Sequence, residues 1–280
     1  MDKIRLIFII IFFTFNNYAI ADDGFAQNFL KIPPRQNNAI SGSEFMKQVS
    51  NMDLVEREAA IYNEIASGNI PNSLRKLNRI KKTIKDANDV DCVVEIEIMP
   101  DFLAIGSDDD FCRIPMLPLT AQKLATLFGA TLPTSKISDL AWEFAEVKMS
   151  PQPMTPDSTM TTVPVFIEHN RLLEIQRAEF GKGLDAPIAG HKKDIVITNR
   201  IAGEQTKVFI YGWHYQDGKH IQPISGAHGL NYVDYSHGVR LVKQEIKVDG
   251  IPANVRDVLR DEVKYKLLSH ESGVMIQTEY

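Results

Sequence analysis

The cleanest pattern in the chain is the strict alternation over residues 90–99, where Cys92, Val94, Ile96 and Ile98 share one face. A period of two marks a half-buried strand. Upstream, Ser41-Gly-Ser-Glu44 has the spacing of a capping box and opens a short helix. A second helix is predicted over 53–66, with Val55, Ala59, Tyr62 and Ala66 on one stripe and Gly68 as its stop. Residues 68–89 are basic and polar and lead into the strand. A hairpin over 102–106 and 111–116 turns through Asp108-Asp109-Asp110, and the spacing of those carboxylates fits a solvated turn better than a calcium loop.

Two helices follow in the pattern. The first, 120–128, puts Ala121, Leu124, Ala125 and Phe128 inward; the second, 135–147, does so with Ile137, Leu140, Ala141 and Phe144. Residues 150–164 carry Pro151, Pro153, Pro156 and Pro164, which forbids a regular element and makes this stretch an internal joint. Pro164 suits the first turn of a helix reaching about residue 178. Strands then dominate, over 194–199, 207–214 and 239–248, the last ending at Asp249-Gly250, and a final helix begins near Pro252. No βαβα rhythm is present, so the expected class is α+β: a helix-rich first two-thirds packed on a mainly antiparallel sheet formed largely by the last third.

The ends and the charge narrow the function classes. Lys3 and Arg5 precede an apolar run over 6–15, and Ala19-Ile20-Ala21 supplies the small residues of a cleavage site. Residues 1–21 therefore read as a signal peptide, 22–40 as a loose leader and 41–280 as one domain, with a secreted or periplasmic product. The apolar run falls short of the ~20 residues that span a bilayer, so no stable membrane insertion is expected after cleavage. Loss of Asp2, Lys3 and Arg5 leaves 29 basic and 35 acidic side chains of the original 31 and 36. A mildly acidic chain without a basic block excludes nucleic acid as a natural partner. In an oxidising compartment Cys92 and Cys112 could pair, but Cys92 also suits a buried free thiol, and both states stay open.

Chemistry concentrates between residues 191 and 240. Tyr211-Gly-Trp213-His214 ends a predicted strand with Gly212 and His214 on one face and Tyr211 and Trp213 on the other. Gly226-Ala-His228-Gly229 holds a histidine at a sharp turn, and Tyr232-Val-Asp234-Tyr235-Ser236-His237-Gly-Val-Arg240 follows. An imidazole titrates near neutrality, and a carboxylate behind it fixes its tautomer, so Asp234 is the expected orienting group. Two chemistries fit: His214, His228 and His237 hold zinc and activate water, or one histidine acts as a metal-free base toward Ser236 or water. Asp194, Trp213, Tyr232 and Arg240 are the expected substrate contacts. His169 reads as a half-buried helix residue, and His220 and His270 have no evident partners in the sequence.

Ser236-His237-Gly238-Val239-Arg240-Leu241, with His228-Gly229 upstream, resembles the active-site words of the L,D-transpeptidases, which act on peptidoglycan stem peptides. Over about 15 residues the resemblance implies a peptide-binding groove, but Val239 stands where that family has its nucleophilic Cys, so the acyl-enzyme route is closed. A wider resemblance, to a family of uncharacterised secreted bacterial proteins, rests on Pro100-Asp-Phe-Leu-Ala-Ile-Gly-Ser-Asp108, Lys192-Lys-Asp194, Ile210-Tyr-Gly-Trp-His214, Ile221-Gln-Pro223 and Tyr232-Val-Asp-Tyr-Ser-His-Gly238. It implies a shared fold and no mechanism. The expectation is a hydrolase of cell-envelope or extracellular polymer, a peptidoglycan-like peptide or glycan. The alternative is a non-catalytic carbohydrate- or peptide-binding protein with Tyr211, Trp213, Tyr232 and Tyr235 as an aromatic platform.

Overall fold

A computed structural model describes residues 29–280; the expected signal peptide and residues 22–28 of the leader lie outside the described residues. Two helices come first, α1 (Gly42–Val49) and α2 (Leu54–Ala66), each opened by a complete capping box, Ser41 with Glu44 and Asp53 with Glu56. Each box satisfies two backbone N–H groups that a helix start leaves unpaired. Gly68, at φ +90°, ends α2 where an added Cβ would meet the Pro33 carbonyl oxygen at 2.1 Å. The chain continues through β1 (Asn78–Lys85), β2 (Asp91–Ile98), β3 (Ala104–Gly106), β4 (Phe111–Arg113), α3 (Pro118–Leu127), β5 (Ala130–Thr131), α4 (Ser135–Glu143), β6 (Val147–Lys148), α5 (Val163–Ala178) and β7 (Ile188–Ala189). Then come β8 (Lys193–Ile195), α6 (Arg200–Gly203), β9 (Ile210–His214), β10 (His220–Ser225), β11 (His237–Gly238), β12 (Val242–Lys243), β13 (Glu245–Val248), β14 (Ile251–Asn254), α7 (Val255–Arg260) and α8 (Tyr265–Leu268).

The class is mixed α and β with an antiparallel curled sheet. That six-stranded sheet runs β14-β13-β2-β12-β5, with β1 paired to β2 off the path. Its centre is β2, the alternating strand of the sequence, and three of its strands come from the first half of the chain. The expected division into an N-terminal helical part and a C-terminal sheet is therefore not what forms. The last third supplies strands to a sheet begun by β1 and β2, a long-range pairing that local patterning cannot show. The strand predicted over 239–248 breaks at Gln244, whose backbone N–H and side-chain amide turn to the carbonyls of Gly129 and Ala130. Asp249 and Gly250 take positive φ as a two-residue hairpin turn, so Ile251–Asn254 becomes a strand and the final helix starts later than Pro252.

A second sheet, ordered β10-β9-β8-β11, carries His214, His220 and His237. One contiguous apolar core runs from Leu30 through Ile96 and Phe128 to Val239 and Met275, spanning both sides of the proline-rich stretch. The described part of the leader is not loose: Arg35 donates to Asn69 Oδ1 and to the carbonyls of Gly106, Ala39 and Ile40, and Leu30 is buried. Both cysteines are free and buried, and burial pushes the Cys112 thiol up to about 12. Among the described residues no helix is long and apolar enough to cross a membrane.

Candidate functional site

Strand β9 does not keep the simple alternation of its sequence. Gly212 sits at φ +111° and Trp213 at φ +58°, so the backbone twists between Tyr211 and His214. The twist brings both side chains to one carboxylate, Asp139, instead of opposite faces. An added Cβ at Gly212 would lie 3.4 Å from His214 Cε1, on backbone that disfavours any side chain. Positive φ at a bulky residue such as Trp213 is strain, which persists only where surrounding contacts hold it and which clusters at functional sites. Two contacts hold Trp213: its Nε1 donates to the His191 carbonyl at 3.1 Å, and the Lys193 ammonium lies 4.4 Å from the ring centre.

Asp139 is the hub of this face. It rides on α4, whose N-cap Thr134 accepts the Ile137 N–H. Its Oδ1 pairs with His214 Nε2 at 2.9 Å and accepts the Tyr211 hydroxyl at 2.8 Å, while Oδ2 pairs with His270 Nε2 at 2.9 Å. The Tyr211 oxygen also lies 2.9 Å from His220 Nδ1. One helical turn on, Trp142 stacks against the His214 ring, with centroids 5.9 Å apart, and itself carries the Lys148 ammonium 4.2 Å from its centre. Burial works to raise the Asp139 carboxyl, but hydrogen bonds from His214, His270 and Tyr211 outweigh it and hold the group well below the usual carboxylate range. Burial, then the Asp139 charge, pushes the Tyr211 phenol up.

The exposures grade from inside to outside. His214 is buried at 4 % of its side chain, Asp139 is 36 % exposed and His270 52 %. A carboxylate on one imidazole nitrogen leaves the other as the proton carrier, the arrangement of an acid–base pair. Asp194 lies on the same side, in register with Tyr211; burial pushes its carboxyl up, and Arg240 Nε stands 3.9 Å from it.

The other predicted residues assemble elsewhere. His237 pairs in register with Lys193, and Asp194 with Tyr211, so alternation along β8 puts His237 and the Asp139 hub on opposite faces of the sheet. His237 is fully buried and, among the described residues, neither of its nitrogens has a hydrogen-bond partner; its Nε2 is 3.9 Å from Asp234 Oδ2. Ser236 is also fully buried; its N–H and its Oγ both donate to Asp234 Oδ1, at 2.8 and 2.6 Å. Tyr232 donates to Asp234 Oδ2 at 3.1 Å and stacks flat on His228, centroids 3.8 Å apart.

Asp234 thus orients Ser236 and Tyr232 and does not serve His214. The trio His214, His228 and His237 does not converge, and among the described residues no group of three or more His, Cys, Asp or Glu side chains could hold a metal ion. Arg240 is 2 % exposed and donates to the carbonyls of Met99 and Pro100 and, on β7, of Ile188, with its Nε buried 3.9 Å from Asp194, so it joins these segments inside the protein instead of facing a substrate. Val239, at the position of the transpeptidase nucleophile, is fully buried in the core. Tyr211, Trp213 and Tyr235 are buried as well, so the four rings do not form an open platform.

Sequence reasoning missed Asp139, Trp142, His220 and His270. Asp139 lies within a helix read only for its apolar stripe, where a polar residue passes for solvent face. No family, curated protein or solved structure matches the chain, so the site is read from its own geometry.

Proposed function

We propose that the chain is an exported hydrolase of a cell-envelope or extracellular polymer, a peptide or glycan, with Asp139 and His214 as its acid–base pair. The observation that carries this reading is the imidazole of His214, buried on strained backbone and clamped through Nε2 by a carboxylate that opens to solvent at its other side. In the hydrolytic step His214 Nδ1 takes a proton from water as that water attacks the scissile carbon. It returns the proton to the departing group, so no net proton is consumed. Asp139 stabilises the imidazolium formed between the two transfers, and Tyr211 fixes the Asp139 oxygen that faces His214. His270 and His220, both exposed, border the site, with His270 Nε2 on the second Asp139 oxygen and His220 Nδ1 on the Tyr211 hydroxyl.

The test is release of soluble fragments from isolated peptidoglycan by the purified protein, read by mass spectrometry, beside a His214→Ala variant and a panel of extracellular glycans. Fragment release that His214→Ala abolishes supports the reading. Release unchanged in that variant, or no release from any polymer by the wild type, overturns it.

A further inference from the structure

Among the described residues three arginines are buried, Arg57, Arg113 and Arg240. Arg113 lies against Asp101 and Glu174, and Arg240 has Asp194 at 3.9 Å. Arg57, near the start of α2 and 8 % exposed, has no carboxylate within 4.0 Å among the described residues. Its Nη1 donates to the Thr161 carbonyl at 3.2 Å, its Nε is buried without a partner, and its guanidinium lies 5.3 Å from the centre of the Phe166 ring. Most of the donor capacity of this side chain is therefore unused inside the protein.

Arg57 lines a groove of about 350 Å³ together with Leu54, Thr161, Asn231, Tyr232 and Val233, and it is the one charged group on that lining. Natural small-molecule sites are concave, of ~300–1,000 Å³, with a few fixed polar groups on an apolar wall. The wall here is fixed: Val233 is buried, and the Tyr232 ring is held by its hydroxyl on Asp234 Oδ2 and by His228 stacked on it. Nearby acids are engaged elsewhere. Glu58 Oε2 accepts the Leu117 N–H, Asp53 Oδ1 accepts the Glu56 N–H, and Asp234 Oδ1 takes the Ser236 N–H and hydroxyl. Burial works against the Arg57 charge more than Glu58 supports it. A guanidinium taken from water without a carboxylate is costly, and an anion seated against it removes that cost.

We infer that this groove binds a small organic monocarboxylate, its carboxylate paired with Arg57 and its apolar body lying on Leu54, Tyr232 and Val233. The flat fork of a guanidinium matches the two oxygens of a carboxylate. With no second cation on the lining, one negative charge is balanced and the larger charge of a phosphate is not. Asn231, exposed at the rim, offers its amide as a further donor. The inference is independent of the Asp139 site and stands or falls separately.

Three probes separate the contributions: phenylacetate, its neutral isostere phenylacetamide, and inorganic phosphate, each titrated into the full protein by calorimetry at neutral pH and low ionic strength. Phenylacetate should bind at least ~10-fold tighter than either of the others. Arg57→Met should bring phenylacetate down to the level of the amide. Asn231→Trp, which fills the groove from an exposed position and keeps the test open if the buried substitution disturbs folding, should abolish phenylacetate binding. Equal affinity for acid and amide, phosphate bound as tightly as phenylacetate, phenylacetate binding unchanged in a folded Arg57→Met or retained in Asn231→Trp, or no binding of phenylacetate would each overturn the inference.

Discussion

Replacing Asp139 by Asn separates chemistry from folding. The substitution keeps size and one carbonyl oxygen, so the amide can still accept from Tyr211 and His214 at the position of Oδ1. What it removes is the negative charge, and it sets an NH₂ group against His270 Nε2 in place of Oδ2. Hydrogen bonds to a charged group contribute ~1.5–3 kcal/mol each, but Asp139 is 36 % exposed, and solvent screening brings the expected stability loss to about 1–2 kcal/mol. Against a typical ~5–15 kcal/mol of folding stability the variant stays folded at 25 °C.

Its catalytic loss is larger. An imidazole facing a neutral amide loses the stabilisation of its charged form, a cost of roughly 10²–10⁴ in rate, or ~3–5 kcal/mol of barrier. The linkage sign also follows. Because the folded carboxyl is held below its unfolded value of ~3.9, the wild type enjoys this contribution above that pH and loses it as pH falls through the folded value. The Asn variant should therefore close its stability gap to the wild type only in strong acid. Urea unfolding across pH and fragment release from polymer, measured on the same preparations, check both. An Asn variant with wild-type turnover would refute the role of Asp139, and one unfolded at neutral pH would refute the energetic reasoning.

Other consequences are open to measurement. At Gly238 an added Cβ would lie 2.5 Å from Phe102 Cδ1, on a ring already pinned by His191 and Arg240, so Gly238→Ala should cost ~1–3 kcal/mol in urea unfolding; a change below ~0.5 kcal/mol would contradict that packing. Lys192 is 3 % exposed, its ammonium donates to the Tyr235 carbonyl, and burial pushes it down to about 7. The unfolded chain holds that proton to pH ~10.4, so wild-type stability relative to Lys192→Met should rise from pH 7 to 10 at up to ~1.4 kcal/mol per unit, and a flat difference would show that the lysine is not desolvated.

What the sequence made legible was local. The capping box at Ser41, the strand through Ile96 and the Asp249-Gly250 turn are each set by neighbours within a few residues and each forms, although the face of β2 expected to meet solvent is covered, with Glu95 and Glu97 buried. Non-local pairing was not legible: nothing in 242–254 says that it completes a sheet begun by β1 and β2. The same limit explains the site. His214 sits on a strand end as expected, but its partner is Asp139, 75 positions earlier. The twist at Gly212 and Trp213 then reverses the face that alternation assigns to the histidine. Proximity in sequence made Asp234 look like the orienting carboxylate, and alternation along β8 puts it across the sheet from His214. The stripe Val55, Ala59, Tyr62 and Ala66 lies on α2 as read, but Val55 stays exposed and the helix buries Ile61 and Ile65, because periodicity reports a face and not what covers it.

The most direct test compares His214→Gln with His237→Gln on one polymer substrate, with folding verified by circular dichroism. If the working imidazole is the one held by Asp139, the first variant loses fragment release by at least ~10²-fold while the second keeps a rate within a few-fold of the wild type. Loss confined to His237→Gln, with His214→Gln still active, would move the chemistry to the opposite face of the sheet and contradict the account.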